Sequence, residues 1–271
     1  FVDPNSASIA GVLTGNPDLI EEVAATRTLG IILRPRFIPN LTISVDWYQI
    51  ELEDAINVAT PQNAAELCVD LPTLDNEFCG LFEREVGTGG IIDFIQRPLN
   101  VAEFTTEGYD FTINYLLDPS EWGIQRNVGL FNLRLVGNHL KELTFVNLPG
   151  VDPDPDRGEE DAPEWQAKLD LSWQYGAFLA NYGFSYFDET QRYTKQVRTS
   201  NPDIADPRYW DYKAREVHDL YFAWEARSGT TIYAGVNNLT DEKPDIGQTF
   251  YPVSAVGRFF FLGFDLDLAL M

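Results

Sequence analysis

The chain contains long runs in which apolar and polar residues alternate strictly. In one run the apolar positions are Trp165, Ala167, Leu169, Leu171, Trp173 and Tyr175, and the positions between them are Gln166, Lys168, Asp170, Ser172 and Gln174. Successive side chains of a strand point to opposite faces, so this run predicts a β-strand with one apolar and one polar face. The alternation recurs in residues 178–186, 220–224 and 260–270. Soluble sandwiches rarely need strands this long, whereas a tilted membrane strand needs about 9–11 residues.

The pattern predicts nine strands, at Val23–Arg34, Leu41–Glu53, Glu103–Leu117, Val128–Leu143, Glu164–Tyr175, Ala177–Glu189, Val217–Arg227, Thr230–Leu239 and Arg258–Leu270. Short connections (Pro35–Asn40, Asp118–Asn127, Tyr175–Ala177, Ser228–Thr230) alternate with long ones (Asp54–Ala102, Thr144–Pro163, Thr190–Glu216, Thr240–Gly257). Membrane barrels have short periplasmic turns and long extracellular loops. The sequence therefore predicts an all-β chain forming part, about nine antiparallel strands, of a large transmembrane up-and-down β-barrel.

The long connections contain some structure of their own. Pro61–Val69 predicts a short helix capped by Thr60, because proline is favoured in the first turn of a helix. Ile91–Arg97 is either an extra strand or part of the approach to the third long strand. The prolines and carboxylates of Val151–Glu164 exclude both helix and strand. The glycine-rich Gly87–Gly90 lacks a strand–helix context and is predicted to be a loop.

Alternation also predicts which side chains face lipid and which face the barrel lumen. An ionised group such as Asp170 would cost several kcal/mol facing lipid, so the charged positions identify the wet face. Lipid-facing positions are predicted to include Trp47, Tyr109, Phe111, Phe131, Leu133, Leu135, Leu169, Leu171, Phe222, Val236 and Leu266. Lumen-facing positions are predicted to include Tyr48, Asp110, Asn132, Arg134, Asn138, Lys168, Asp170, Asp219, Asn237 and Asp265.

Composition narrows the possible functions. The net charge of −23 argues against nucleic-acid binding, which needs a basic surface. Aromatic residues make up 13% of the 271 residues, which suits aromatic belts at membrane interfaces. No apolar run of about 18 residues is present, so no transmembrane helix is expected. The start at Phe1 lacks the pattern of a signal peptide, and we expect that it is not the natural start of the protein.

Cys68 and Cys79 lie within one polar connecting segment. Their proximity favours a loop disulfide formed in an oxidising compartment, and the alternative is two unrelated buried thiols. A metal site involving them is disfavoured because His139 and His218 lie elsewhere and singly.

A cluster of carboxylates lies in the second long connection. Its members are Asp152, Asp154, Asp156, Glu159, Glu160 and Asp161. Oxygen ligands at this density could hold calcium, but the spacing lacks the glycine and terminal glutamate of an EF-hand loop. The alternative is a solvated acidic loop. No nucleophile elbow, phosphate loop or zinc spacing is present, so an enzyme is not expected, and no cofactor other than calcium is indicated.

Three stretches resemble one known family. They are Gly15-Asn16-Pro17-Asp18-Leu19 with Thr28-Leu29-Gly30, Gly235-Val236-Asn237-Asn238-Leu239 with Asp241-Glu242-Lys243-Pro244, and Gly257-Arg258-Phe259-Phe260-Phe261-Leu262-Gly263. The cysteine loop and Thr106-Glu107-Gly108-Tyr109-Asp110-Phe111 also fit. In this order the motifs resemble the C-terminal half of the barrel of TonB-dependent outer-membrane receptors.

The resemblance implies a place in the bacterial outer membrane, in contact with the lipid bilayer and lipopolysaccharide. Residues 1–22 would be an extracellular loop segment and residues 23–271 the C-terminal part of the barrel. The family's plug domain and TonB-contacting box lie upstream and are not in this chain. We therefore expect the chain to be joined to the N-terminal plug-and-barrel part of the same receptor, and through it to contact the TonB complex. Nine strands in an open sheet would leave unpaired edges in lipid, which also predicts such a joined part.

Three functions are compatible with these features. The chain is either part of an energised transporter, part of a passive porin-like channel, or a soluble all-β carbohydrate-binding or hydrolase domain. The resemblance implies a large, scarce nutrient such as an iron–siderophore complex, cobalamin or an oligosaccharide. Aromatic side chains that could stack on such a ligand are Tyr193, Tyr209, Trp210, Tyr212 and Tyr251, although packing within the loops or a place in an aromatic belt would also explain them.

Overall fold

The computed structural model describes residues 9–227, 229–248 and 252–266. Its strands are β1 Ala10–Leu13, β2 Val23–Leu33, β3 Leu41–Asn57, β4 Phe82–Arg84, β5 Ile91–Gln96, β6 Leu99–Leu117, β7 Leu130–Val146, β8 Asp154–Pro155, β9 Trp165–Tyr175, β10 Phe178–Phe187, β11 Thr190–Gln191, β12 Asp211–Tyr212, β13 Arg215–Arg227, β14 Thr230–Asn237 and β15 Phe259–Leu266. Its α-helices are α1 Pro61–Asp70 and α2 Lys195–Ser200, and 3-10 turns lie at Cys79–Leu81, Pro119–Trp122 and Pro207–Tyr209. Within the described ranges, neither α-helix has the length and apolar character needed to cross a bilayer.

The nine predicted strands are all present in the described part of the chain. They form one sheet in the order β15-β14-β13-β10-β9-β7-β6-β3-β2, and the short β8 pairs with β7. From β7 to β15 each strand of this path pairs antiparallel with the next. Short connections such as 34–40 and 176–177 alternate with long ones such as 58–98 and 188–214, as predicted. The all-β, up-and-down architecture is therefore confirmed.

The chain divides into two compact units. The first comprises Phe1–Arg27, Gln49–Thr106 and Leu143–Asp156, and the second Thr28–Tyr48, Glu107–Glu142 and Arg157–Met271. In the first unit β1 pairs parallel with β5, and β5 pairs antiparallel with β4. A small core fills this unit, formed by Ala59, Ala64, Leu67, Cys68, Phe78, Leu81, Phe94, Leu99, Val101 and Leu148.

The predicted helix and disulfide both belong to this first unit. The Thr60 hydroxyl accepts a hydrogen bond from the Asn63 N–H at 3.2 Å, and Pro61 opens α1, so the capping prediction is confirmed. A disulfide joins Cys68 to Cys79, whose Cα atoms lie 4.6 Å apart. It ties the helix to the buried segment that contains Phe78, which is 1% exposed.

The predicted division into two faces is confirmed in the second unit by the strand register. Residues paired across antiparallel strands point to the same side. One row runs through Leu133, Leu171, Tyr182, Leu220, Val236 and Phe260. A neighbouring row on the same side runs through Phe131, Trp173, Ala180, Phe222, Ala234 and Leu262. The opposite side carries the row Arg134, Asp170, Gly183 and Asp219.

Some short elements differ from the prediction. Asp154–Pro155 forms β8 against Thr144 and Phe145, so the exclusion of strand structure from Val151–Glu164 was wrong. Proline is tolerated there because a two-residue strand paired on one side needs no N–H on its free side.

Residues 91–96 form a strand of their own, which resolves the alternative left open for Ile91–Arg97. The predicted loop segment 1–22 contains the strand β1. The predicted strand Arg258–Leu270 is observed over Phe259–Leu266, and residues 267–271 lie outside the described part of the chain.

Candidate functional site

The apolar face of the second unit is exposed over several adjacent strands. The exposed fraction is 56% for Phe222, 79% for Leu262 and 69% for Phe264. Soluble monomers rarely expose a contiguous apolar surface of this extent. The side chains alternate with polar ones along each strand, so the exposure results from the register and not from a disordered segment. The face therefore requires an apolar environment.

Aromatic side chains border this face near the start of β9. The ring of His139 lies 4.2 Å from that of Trp165 and 6.2 Å from that of Tyr109, measured between centroids. Phe111 stacks on Trp165 at 6.0 Å. These four residues form what we call the first aromatic belt. Trp47 and Lys141 lie next to it and both donate hydrogen bonds to the buried Glu107 carboxylate, at 2.8 and 2.7 Å.

A second group of rings lies at the other end of the same face. Trp173 is 6.4 Å from Phe131 and 5.9 Å from Tyr175, and Phe178 is 6.3 Å from Trp224. These residues form the second aromatic belt. β9 has 11 residues between Trp165 and Tyr175 inclusive, a path of roughly 33 Å along the strand. At a tilt of about 40° this gives a height of about 25 Å, which is the height of the apolar band in outer-membrane barrels.

Hydrogen bonds join the side chains of the opposite, polar face. The Asn138 amide donates to the Asp110 carboxylate at 2.8 Å and to the Tyr48 hydroxyl at 3.3 Å. All three residues were predicted to face the lumen, and the contacts place them together. The Asp219 carboxylate accepts the backbone N–H of Asn238 at 2.7 Å, which fixes the connection after β14 to the first part of β13. Asn237 and Asp265 lie on the same polar face by the register of β14 and β15.

The connection between β10 and β13 contains most of the predicted ligand-stacking residues. The guanidinium of Arg192 lies 5.4 Å from the centroid of the Tyr193 ring and 6.0 Å from that of Tyr212. Tyr212 is 6% exposed, and its burial raises the pKa of its hydroxyl. The structure thus brings two predicted tyrosines together around an arginine that sequence reasoning missed.

Two other predicted stacking residues, Trp210 and Tyr209, have contacts of their own in the same connection. Trp210 donates its indole N–H to the Ala205 carbonyl at 3.0 Å. The guanidinium carbon of Arg198 lies 5.3 Å from the centroid of the Trp210 ring, so Trp210 stabilises the loop. Tyr209 is 43% exposed, with Arg208 5.8 Å from its ring. Tyr251 lies outside the described residues.

A charged network fixes the base of the connection between β14 and β15. Arg215 is 8% exposed and forms ion pairs with Glu242 and Asp245. Asn238 has a φ of 54°, in the left-handed region, and its side-chain amide bonds both backbone groups of Glu242, at 2.7 and 2.8 Å. The motif Asn237-Asn238-Leu239 therefore has a structural role in the turn that follows β14.

The acidic segment is divided between the two units. Asp152, Asp154 and Asp156 belong to the first, and Glu159, Glu160 and Asp161 to the second. Burial raises the pKa of Asp156, and the nearby Asp154 carboxylate raises it further. The Asp156 N–H donates to the Leu143 carbonyl at 2.9 Å. Arg157 forms an ion pair with Glu164 at 2.8 Å.

Comparison with known proteins identifies the family. Residues 2–239 match the model of the TonB dependent receptor-like β-barrel. This chain belongs to the TonB-dependent receptor family. Its fold is that of part of the β-barrel of these receptors, as the sequence motifs predicted. No curated protein sequence matches the chain.

Solved structures of low sequence identity show the same fold as this receptor chain. The FrpB iron transporter of Neisseria meningitidis matches 94% of the chain with a TM-score of 0.57 and 10% identity. A mutant of the ferric enterobactin receptor PfeA of Pseudomonas aeruginosa matches 94% with a TM-score of 0.56 and 13% identity. The outer membrane transporter YddB of Escherichia coli matches 97% with a TM-score of 0.58 and 13% identity. The chain covers 33%, 32% and 35% of these structures, so it spans about a third of their length.

Proposed function

We propose that the chain forms the C-terminal part of the barrel of an energised outer-membrane transporter for a large, scarce nutrient of the siderophore, cobalamin or oligosaccharide class. In this proposal it is completed by the plug and the remaining strands of the same receptor. The observation that carries the proposal is the apolar face bounded by two aromatic belts about 25 Å apart. Membership of a family of transport receptors supports the same function and disfavours an enzyme.

The ligand is proposed to contact the loops on the side of the first aromatic belt. Arg192 and Tyr193 are half-exposed and offer a cation beside an aromatic ring, with 5.4 Å between the guanidinium and the ring centroid. The buried Tyr212 ring, 6.0 Å from the guanidinium, supports Arg192 from within the loop. This arrangement suits a ligand that combines polar oxygens with a flat apolar surface. The Arg198–Asp211 ion pair and the Trp210 hydrogen bond hold the loop in place around these residues.

Uptake measurements with the complete receptor test this function. Cells carrying the receptor as their sole route should accumulate one labelled ferric siderophore, cobalamin or oligosaccharide, and collapse of the proton motive force should stop uptake. Arg192→Gln should raise the concentration needed for half-maximal uptake without lowering receptor abundance, whereas Lys195→Gln on the neighbouring helix should have little effect. Uptake that persists without the proton motive force would favour the passive channel. Recovery of the folded chain as a detergent-independent soluble protein would contradict both membrane functions.

A further inference from the structure

The two short connections β2–β3 and β6–β7 carry exposed apolar and cationic side chains together. The exposed fraction is 81% for Phe37, 54% for Trp122 and 47% for Ile124. Arg34, Arg36 and Arg126 are exposed in the same connections. We call these six residues the short-turn surface.

The two connections are fastened to each other by hydrogen bonds. Asn40, in the left-handed region at a φ of 60°, donates its side-chain amide to both oxygens of the Glu121 carboxylate, at 3.3 and 3.2 Å. Its carbonyl accepts the Leu116 N–H at 3.3 Å. The two turns therefore present their exposed side chains from one fixed structure.

The carboxylates of these turns accept hydrogen bonds from within the turns, whereas the arginines form no ion pair in the described ranges. Asp118 accepts from the Ser120 N–H at 2.9 Å and from its hydroxyl at 2.7 Å, and these bonds hold the pKa of Asp118 below its usual value. Glu121 is bound by Asn40. None of the guanidinium groups of Arg34, Arg36 and Arg126 has an ion pair within the described ranges. The three arginines outnumber the two carboxylates, so these two turns have a net charge of +1 in a chain whose net charge is −23.

This surface lies next to the second aromatic belt. The indole N–H of Trp173, a member of that belt, donates to the carbonyl of Val128 in the β6–β7 connection at 2.8 Å. In a barrel placed in a bilayer by its apolar face, the residues just beyond an aromatic belt are at the level of the lipid headgroups. Aromatic side chains beside arginines are suited to this level, because the rings accept partial burial while the guanidinium groups pair with phosphates.

We infer that the short-turn surface binds the headgroups of anionic phospholipids in the leaflet that it contacts. The inference rests on the proposed membrane function. Positive charge near an anionic bilayer surface strengthens association about fivefold for each arginine. The lipid shell of the receptor should therefore be enriched in anionic phospholipid at this end of the barrel.

Lipid competition with the complete receptor tests the inference. The receptor is reconstituted in phosphatidylcholine vesicles with and without phosphatidylglycerol, and its preference for phosphatidylglycerol is measured from the co-purified lipid by native mass spectrometry. Arg36→Gln with Arg126→Gln should lower that preference by about 25-fold, and Arg36→Lys with Arg126→Lys should retain most of it. The matched control, Lys195→Gln with Lys213→Gln, removes the same charge from the other end and should leave the preference unchanged. The wild-type preference should also fall as salt is raised.

The outcomes separate this inference from the membrane assignment. An unchanged preference in the Arg36→Gln, Arg126→Gln receptor, or an equal loss in the lysine control, overturns the inference and leaves the membrane assignment standing. A wild-type preference that does not respond to salt overturns it without any variant. A receptor that enters neither vesicle type overturns the membrane function itself.

Discussion

The hydroxyl oxygen of Tyr48 lies in the space that a Cβ on Gly108 would occupy. The two residues are on neighbouring strands of the polar face, and the tyrosine ring occupies the space left by the glycine. A side chain at position 108 would displace the ring and its hydrogen bond from Asn138, and its Cβ would also lie 2.8 Å from the backbone carbonyl oxygen of His139. A large side chain thus packs over a glycine of the neighbouring strand, and this packing requires the observed register.

Gly108→Ala should therefore destabilise the barrel by about 1–3 kcal/mol, the usual cost of overpacking. Gly183→Ala is the matched control, because the nearest atom to its Cβ position is at an ordinary contact distance of 3.5 Å. The measurement is the temperature at which the complete receptor loses its resistance to unfolding by sodium dodecyl sulfate. Equal loss of resistance in both variants would show that the Tyr48 contact is not responsible.

The same substitution should cost much more stability at one of two adjacent residues of β9 than at the other. Leu171→Arg places a charge on the apolar face near its middle and should cost about 2–4 kcal/mol. Ser172→Arg points to the polar face, where its cross-strand neighbours are Asn132 and Asn181, and should cost much less. Denaturant titration of the receptor in lipid vesicles compares the two. A similar cost for both would contradict the assignment of the faces.

The disulfide should stabilise the first unit. It closes a loop with a sequence separation of 11, and its removal by Cys68→Ser with Cys79→Ser should cost about 3 kcal/mol. Alkylation of the native receptor should leave both cysteines unmodified until a reductant is added, as mass spectrometry can check. Alkylation of either residue without reductant would show that the thiols are free.

The acidic segment should respond to pH and to calcium in a defined direction. Because the pKa of Asp156 is raised in the folded chain, its contribution to stability is present below its unfolded pKa and is lost as the pH rises through the folded value. Asp156→Asn removes the unfavourable buried charge at neutral pH. It should therefore slow hydrogen exchange of the backbone N–H of residue 156, which donates to the Leu143 carbonyl, whereas Asp161→Asn should not slow it.

Calcium binding at this segment would give a further signature. Added calcium should slow the same exchange in the wild type by neutralising Asp154 and Asp156, and the effect should grow as the pH rises and Asp156 ionises. Absence of any calcium effect at neutral pH would leave the solvated acidic loop as the explanation of the cluster.

Long strands and their faces could be predicted because each carries its own periodic signal. The rows through Leu171 and Asp170 follow directly from alternation, and α1 from Thr60 and Pro61. The two-residue strand β8 carries no periodicity, and it exists only because β7 supplies its hydrogen bonds. The placement of Arg192 against Tyr212 depends on the pairing of β11 with β12, which brings together residues 20 positions apart in the chain.

Spin labels on β9 measure the environment of each face directly. Single cysteines at Leu171→Cys and Ser172→Cys, in the complete receptor with the native disulfide intact, are labelled with nitroxide in lipid vesicles. Relaxation by oxygen, which concentrates in lipid, and by a water-soluble nickel complex then reports the environment of each label. We predict that oxygen dominates the relaxation at position 171 and that the label at position 172 is shielded from lipid. Equal oxygen accessibility at both positions, or a preference for the nickel complex at position 171, would contradict it.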